Sequence, residues 1–194
     1  MKPAFRFLLT AIVVMGISLA WSNPVSESEA AASAQHKVDH IEANGALARP
    51  NPAPTEFTEQ EINAYIASGK IQLPDGVKSV HMVGVDGTVT GTARVDFDQI
   101  QAGHKSSNPL LSMFSGVHDV EVQAHAQGSG GTGTVHVDSV ILDGAEIPRF
   151  LLQLFVEKYL QPKYSDVGLD SRFALPDRID TATIGRHLLT VTQK

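Results

Sequence analysis

The chain has 194 residues, enough to build one domain with a substantial core, and its apolar content of 42% is that of an ordinary globular protein. A formal net charge of -6 without clusters of Lys or Arg argues against a nucleic-acid partner, because a phosphate backbone must be met by several cations. The absence of cysteine excludes disulfides, Cys-ligated zinc and thiol catalysis.

Residues 1–20 have the pattern of a secretory signal peptide. Lys2 and Arg6 form a basic start, an apolar run follows from Phe7 to Leu19, and Ser18-Leu19-Ala20 offers small residues for cleavage. The run is shorter than the ~20 residues that span a bilayer. We therefore expect a cleaved leader and a periplasmic or secreted protein. The alternative is an anchor formed by an uncleaved N-terminal segment.

Residues 21–54 differ in composition from the rest of the chain. They are rich in Ser, Ala and Pro and contain few large apolar side chains, which predicts a flexible linker. The single folded domain is then expected over residues 55–194. It opens with a short helix, since Thr58 and Glu61 fit a capping box and Gly69 supplies a C-terminal stop.

A first β-hairpin is predicted around the Asp86-Gly87 turn. Counting outward from the turn pairs Gly84 with Val89, Met82 with Gly91, and Val80 with Ala93. The apolar side of this hairpin is thin at its centre, where Gly84, Gly91 and Ala93 lie. Close approach of a helix explains such small residues, and so does room left for an acyl chain.

A second hairpin turns through residues 128–133, and a third turns at Gly185-Arg186. Symmetric pairing of the second hairpin places His125 opposite His136, with Asp138 opposite Gln123. Two imidazoles and a carboxylate on one sheet face form a candidate divalent-metal site. The alternative is a solvated sheet face that happens to contain histidines.

Residues 147–160 predict a long apolar helix. Pro148 suits the first helical position, and Pro162 ends the helix. Helical spacing aligns five apolar side chains into one stripe, namely Phe150, Leu151, Leu154, Phe155 and Tyr159. Such a helix must be covered on most of its faces, either as a core helix on a sheet or as one wall of a lipid-sized groove.

The order of elements predicts an α+β fold. We expect a curved antiparallel sheet of about six strands, wrapped around or packed on the long apolar helix, with a short N-terminal helix. The early Thr58–Asn63 helix, the Gly-turn hairpins, the Ile147-Pro148 helix start and the last hairpin ending in Leu188–Val191 together resemble bacterial envelope proteins of the tubular lipid-binding (TULIP) superfamily. The resemblance implies a long helix lying in a highly curved sheet, acyl chains held between them, and lipid handling in the periplasm without chemistry.

The function predicted from the sequence is an exported, non-enzymatic binding protein for a lipid or other apolar small molecule in the cell envelope. A membrane surface or an envelope protein is a further candidate partner, no cofactor is expected, and the oligomeric state is open. The expected apolar wall consists of Met82, Gly91, Ala93, Phe97, Phe150, Leu151, Leu154 and Phe155. A structural or adaptor protein with the same fold and a filled core is the alternative. A metal-dependent enzyme using His125, His136 and Asp138 is the third hypothesis, and no Gly-x-Ser-x-Gly or His-Glu-x-x-His motif supports it.

Overall fold

A computed structural model describes residues 26–101, 108–164 and 167–194 of the chain. The fold of these residues is α+β, built on an open antiparallel sheet. The predicted signal peptide lies outside the described residues. No helix in the described ranges has the length and apolar character needed to cross a membrane.

The helices of the described chain are α1 (Glu27–Gly45), α2 (Glu59–Ala67), α3 (Phe97–Ile100), a 3-10 turn (Pro109–Leu111), α4 (Arg149–Phe155) and a π-helical segment (Val156–Leu160). The strands are β1 (Thr55–Thr58), β2 (Val77–Val85), β3 (Thr88–Asp96), β4 (Val117–Ser129), β5 (Thr132–Leu142), β6 (Ala145–Glu146), β7 (Asp170–Ala174), β8 (Ile179–Gly185) and β9 (Leu188–Gln193).

The sheet runs in the order β1-β9-β8-β4-β3-β2, and β5 lies beside β4 and pairs with both β6 and β7. Strands β4 and β8 meet through the single pair Gly128–Ala182. The described residues thus form nine strands instead of the expected six or so. The additional strands are the short β1, β6 and β7, which lie outside the three predicted hairpins and find their partners only in the folded chain.

The first hairpin confirms the predicted register, with Gly84 opposite Val89, Met82 opposite Gly91, and Val80 opposite Ala93. Asp86 and Gly87 have φ values of 45° and 85°, so both adopt the left-handed conformation that a tight two-residue turn needs. Helix α2 protects the outer edge of β2. The side-chain amide of Asn63 donates to the carbonyl oxygen of Met82 at 2.8 Å and accepts from its N–H at 2.7 Å.

The second hairpin confirms His125 opposite His136 but not the predicted pairing beyond it. A bulge next to Gln123 places Ser139, and not Asp138, opposite Gln123. The extra residue reverses the facing of the following residues of β5, so that Val140 and Leu142 join the core. Symmetric counting cannot include a bulge, which explains the error.

Residues 27–45 fall within the predicted flexible linker (21–54), but in the structure they form α1, the longest helix described. Helix α1 packs against α2 through small side chains, with Ala30, Ala31 and Ala34 buried. The buried Asn44 amide donates to the Gln193 side chain at 2.7 Å. Ile41 is also buried, beside Phe57 and Val191. Because most of the other contacts are made by alanines and polar pairs, the apolar stripe of this helix is too thin to predict it from the sequence.

The predicted long apolar helix is also different in detail. The α-helical part spans the seven residues Arg149–Phe155, with Pro148 just before it, and the next five residues are π-helical. Nothing in the sequence pattern signals the change from α to π geometry. Helical backbone still ends before Pro162, as predicted.

Candidate functional site: an apolar cavity beneath helix α4

A cavity of about 470 Å³ lies between the sheet and the helical segment 149–160. Its floor is made by side chains of β3, β4 and β5, namely Val95, Val120, Val122, Val137, Val140 and Leu142. Its roof is made by Leu152, Phe155, Val156 and Leu160. Of the described lining residues, three have polar side chains: Asp75, Lys163 and Tyr164.

The bulge in β5 builds the floor of this cavity. With regular alternation beyond Val137, Ser139 and Ile141 would face the helix. The register shift instead turns Val140 and Leu142 toward it, opposite Val122 and Val120 on β4. An irregularity of one residue therefore makes the floor fully aliphatic.

Three aromatic rings line part of the cavity, those of Phe97, Phe114 and Phe155. The Phe155 ring centroid lies 5.4 Å from that of Phe97, 4.5 Å from that of Phe114 and 5.2 Å from that of Tyr159. Phe155 is 6% exposed, so it is the centre of a buried four-ring cluster. Such a cluster adds ring–ring attraction to area burial.

The side chains of the described residues leave the space beneath the roof unfilled. Val120, Val122 and Val137 belong to the layer that packs on the core, yet each remains only half-buried. In the part of the chain that the structure describes, no large side chain is less than 2% exposed. A well-packed interior would bury its central side chains completely.

His118 holds the short segment 114–116 directly before β4, which carries Phe114. The imidazole bonds to the Asp143 carboxylate through Nδ1 and to the Ser115 carbonyl oxygen, 2.7 Å from Nε2. Both partners are acceptors, so the ring satisfies both only when each nitrogen carries a proton. The hydrogen bond to Asp143 accordingly raises the pKa of His118.

Of the predicted wall residues with large side chains, Phe97 of α3 and Phe155 of α4 line the cavity. Leu151 is buried beside the cavity, Leu154 is half-buried outside the lining, and Phe150 is 58% exposed. Helical spacing alone placed the four residues of the helix on one stripe, but the cavity is lined by Leu152, Phe155 and Val156.

The predicted small-residue positions are occupied by neighbouring side chains. The Met82 sulfur lies 3.1 Å from where a Cβ of Gly91 would be, and Ile184 approaches the corresponding position of Gly84 equally closely. Ala93 packs against the core without lining the cavity. Met82 lines a separate, smaller apolar pocket of about 220 Å³ under α2.

The cavity residues that the sequence reading missed lie mostly on the sheet. The valines of β4 alternate with polar residues over Val120–Ala126, a pattern that indicates one buried face of the strand. In β5 the buried apolar residues change from odd to even positions between Val137 and Val140, and this change is the feature of the sequence that indicates the bulge. Lys163 and Tyr164 follow the helix and carry no motif.

His125 of β4 and His136 of β5 form hydrogen bonds with carboxylates on the exposed face of the sheet. His125 Nδ1 lies 2.7 Å from Asp138 Oδ2, while His136 pairs with Asp170, which also accepts from Arg149 at 2.7 Å. The hydrogen bond from His136 lowers the pKa of Asp170. Within the described ranges, no group of three or more His, Asp or Glu side chains is arranged to hold a metal ion. This network links the start of α4 to β5 and β7.

No family model, no curated protein and no solved structure matches the chain.

Proposed function

We propose that this chain is a non-enzymatic binding protein that holds a lipid or another apolar ligand in the cavity beneath α4. The observation that carries the proposal is an unfilled space of about 470 Å³ with an almost entirely apolar lining. This volume lies within the range of roughly 300–1,000 Å³ typical of small-molecule pockets.

Affinity would come from removing hydrocarbon from water. Each CH₂ group that the ligand buries contributes about 0.8 kcal/mol. Water gains little from the same space, because an ordered water needs two to four polar partners and the aliphatic floor offers none through its side chains.

The described lining carries one carboxylate, one ammonium and one phenol, and no imidazole. It lacks the adjacent nucleophile and base that acyl or phosphoryl transfer needs. This set supports retention of a ligand over its conversion. The unfilled space likewise favours a binding protein over an adaptor with a filled core.

We further propose that a cleaved leader directs export of the protein, which then binds its ligand in the periplasm or outside the cell. The support is the pattern of basic and apolar residues at the start of the sequence. A cavity between a helix and an antiparallel sheet is also the arrangement that resemblance to the tubular lipid-binding superfamily implies. Lipid handling in the envelope remains a proposal on both counts.

Filling the cavity from its floor tests the proposal. In Val122→Phe, the added ring would exclude about three CH₂ groups of an acyl chain, which predicts roughly 60-fold weaker binding, or about 2.4 kcal/mol. Val122 is half-buried and lines the cavity, whereas its neighbour Gln123 is exposed on the opposite face. Gln123→Phe is therefore the matched control, with an affinity within about twofold of the unmodified protein.

Binding of hexadecanol, measured by displacement of a fluorescent fatty alcohol, reads out both variants, and circular dichroism shows whether each is folded. A folded Val122→Phe protein that binds hexadecanol as tightly as the unmodified chain would place the ligand elsewhere. Failure of the unmodified chain to bind any long-chain probe would end the proposal.

A further inference from the structure

The polar side chains of the cavity lining are those of Asp75, Lys163 and Tyr164. All three residues are exposed, and we call this water-exposed part of the lining the wet end. Lys163 lies three residues after the helical segment that forms the roof, which ends at Leu160. Its ammonium donates to the carbonyl oxygen of Ile100 at 3.2 Å, and Ile100 itself lines the cavity.

The hydrogen bond to Ile100 holds the ammonium beside the apolar lining. A lysine ammonium has three N–H donors, and the Ile100 carbonyl oxygen accepts from one of them. Other lysines of the chain pair with carboxylates, as Lys37 does with Glu61 and Lys78 with Asp96. Lys163 forms no ion pair with Asp75, although both belong to the same lining.

We infer that the ligand is a single-chain amphiphile with an anionic headgroup, its chain in the cavity and its head on the Lys163 ammonium. This inference rests on the proposed function and specifies its ligand class. A volume of about 470 Å³ is that of a drug-sized ligand and suits one hydrocarbon chain. An anionic head at the wet end keeps its charge hydrated while it accepts hydrogen bonds from Lys163.

The gain from the headgroup is modest for two reasons. Lys163 is exposed, so water and salt screen its charge. The carboxylate of Asp75 in the same lining also repels an anion. We therefore expect hexadecanoate to bind about threefold to tenfold more tightly than hexadecanol at low ionic strength.

The test compares three probes that share a sixteen-carbon chain, namely hexadecanoate, hexadecyl phosphate and hexadecanol, at pH 8 in dilute buffer. The variants are Lys163→Gln and, as the matched control, Lys158→Gln, which removes an exposed cation of the roof segment 149–160 that lies outside the lining. Lys163→Gln should abolish the preference for the anionic probes, so that hexadecanoate and hexadecyl phosphate bind no more tightly than hexadecanol does. Lys158→Gln should keep the preference.

The two anionic probes distinguish a carboxylate head from a phosphate head, and preference for either one supports the inference. Equal binding of all three probes by the unmodified protein, or a preference that survives in Lys163→Gln, would overturn it while leaving the apolar site in place. Absence of binding by all three would instead contradict the proposed function itself.

Discussion

Replacing Phe155 with Ala should lower the free energy of unfolding by about 3–5 kcal/mol, the usual cost of removing a buried aromatic ring. Phe155 is 6% exposed and lies within 5.4 Å, centroid to centroid, of three other rings. The substitution also enlarges a space that is already unfilled, so neighbouring side chains have little means of closing it. Urea denaturation at neutral pH measures the loss.

Phe150 provides the control for this prediction. It lies on the same helix and carries the same side chain, but it is 58% exposed. Phe150→Ala should change the free energy of unfolding by less than about 0.5 kcal/mol. Similar losses in the two variants would mean that the helix buries a different face from the one described.

The second large effect is a loss of stability in acid, caused by Glu61. Its carboxylate accepts from the Lys37 ammonium at 2.6 and 2.7 Å, from the Ser33 hydroxyl at 2.6 Å and from the Thr58 N–H at 2.7 Å. Burial by itself raises the pKa of Glu61, but these hydrogen bonds outweigh it and lower the pKa from 4.5 to about 2. The side chain is only 10% exposed, so solvent screens these contacts weakly.

Because the pKa of Glu61 is lower in the folded chain than in the unfolded one, its contribution is complete above pH 4.5 and is lost as the pH falls toward 2. The shift corresponds to about 3 kcal/mol. Glu61→Gln should therefore be less stable than the unmodified protein at pH 7, and the difference should shrink toward zero near pH 2. Chemical denaturation across this pH range measures both.

Glu42→Gln removes an exposed carboxylate of α1 and serves as the reference for general acid effects. It should follow the unmodified protein at every pH. A constant difference between Glu61→Gln and the unmodified protein from pH 7 to 2 would contradict the role of this carboxylate in joining α1 to α2.

Local signals in the sequence accounted for much of the fold. The Asp86-Gly87 turn specifies its own hairpin, because the turn geometry and the alternation of the flanking strands demand the same register. The Thr58–Glu61 capping box is likewise present as predicted, with Thr58 as the N-cap of α2. Features of this kind are determined by residues within a few positions of one another.

Features that depend on distant contacts were not predictable in the same way. Helix α1 is joined to the rest of the fold by the Lys37–Glu61 salt bridge and the Asn44–Gln193 hydrogen bond. No local sequence pattern predicts these pairs. The β5 bulge is visible in the sequence only because the apolar residues of the strand change from odd to even positions. It nevertheless decides which residues form the floor of the cavity.

Two of the expected wall residues, Phe97 and Phe155, line the cavity. The small residues Gly84 and Gly91 are covered by the side chains of Ile184 and Met82. A glycine in a strand shows that something approaches closely, but the sequence does not say whether that neighbour is a side chain or a ligand.

The central claim is that the cavity beneath α4 holds an apolar ligand. The most direct test is native mass spectrometry of the protein purified from an exporting bacterium, followed by organic extraction and lipid analysis. We predict a bound species near one per chain, released by the organic solvent and identified as a single-chain amphiphile. A protein that is isolated empty, and stays empty after incubation with phospholipid vesicles and free fatty acids, would contradict the claim.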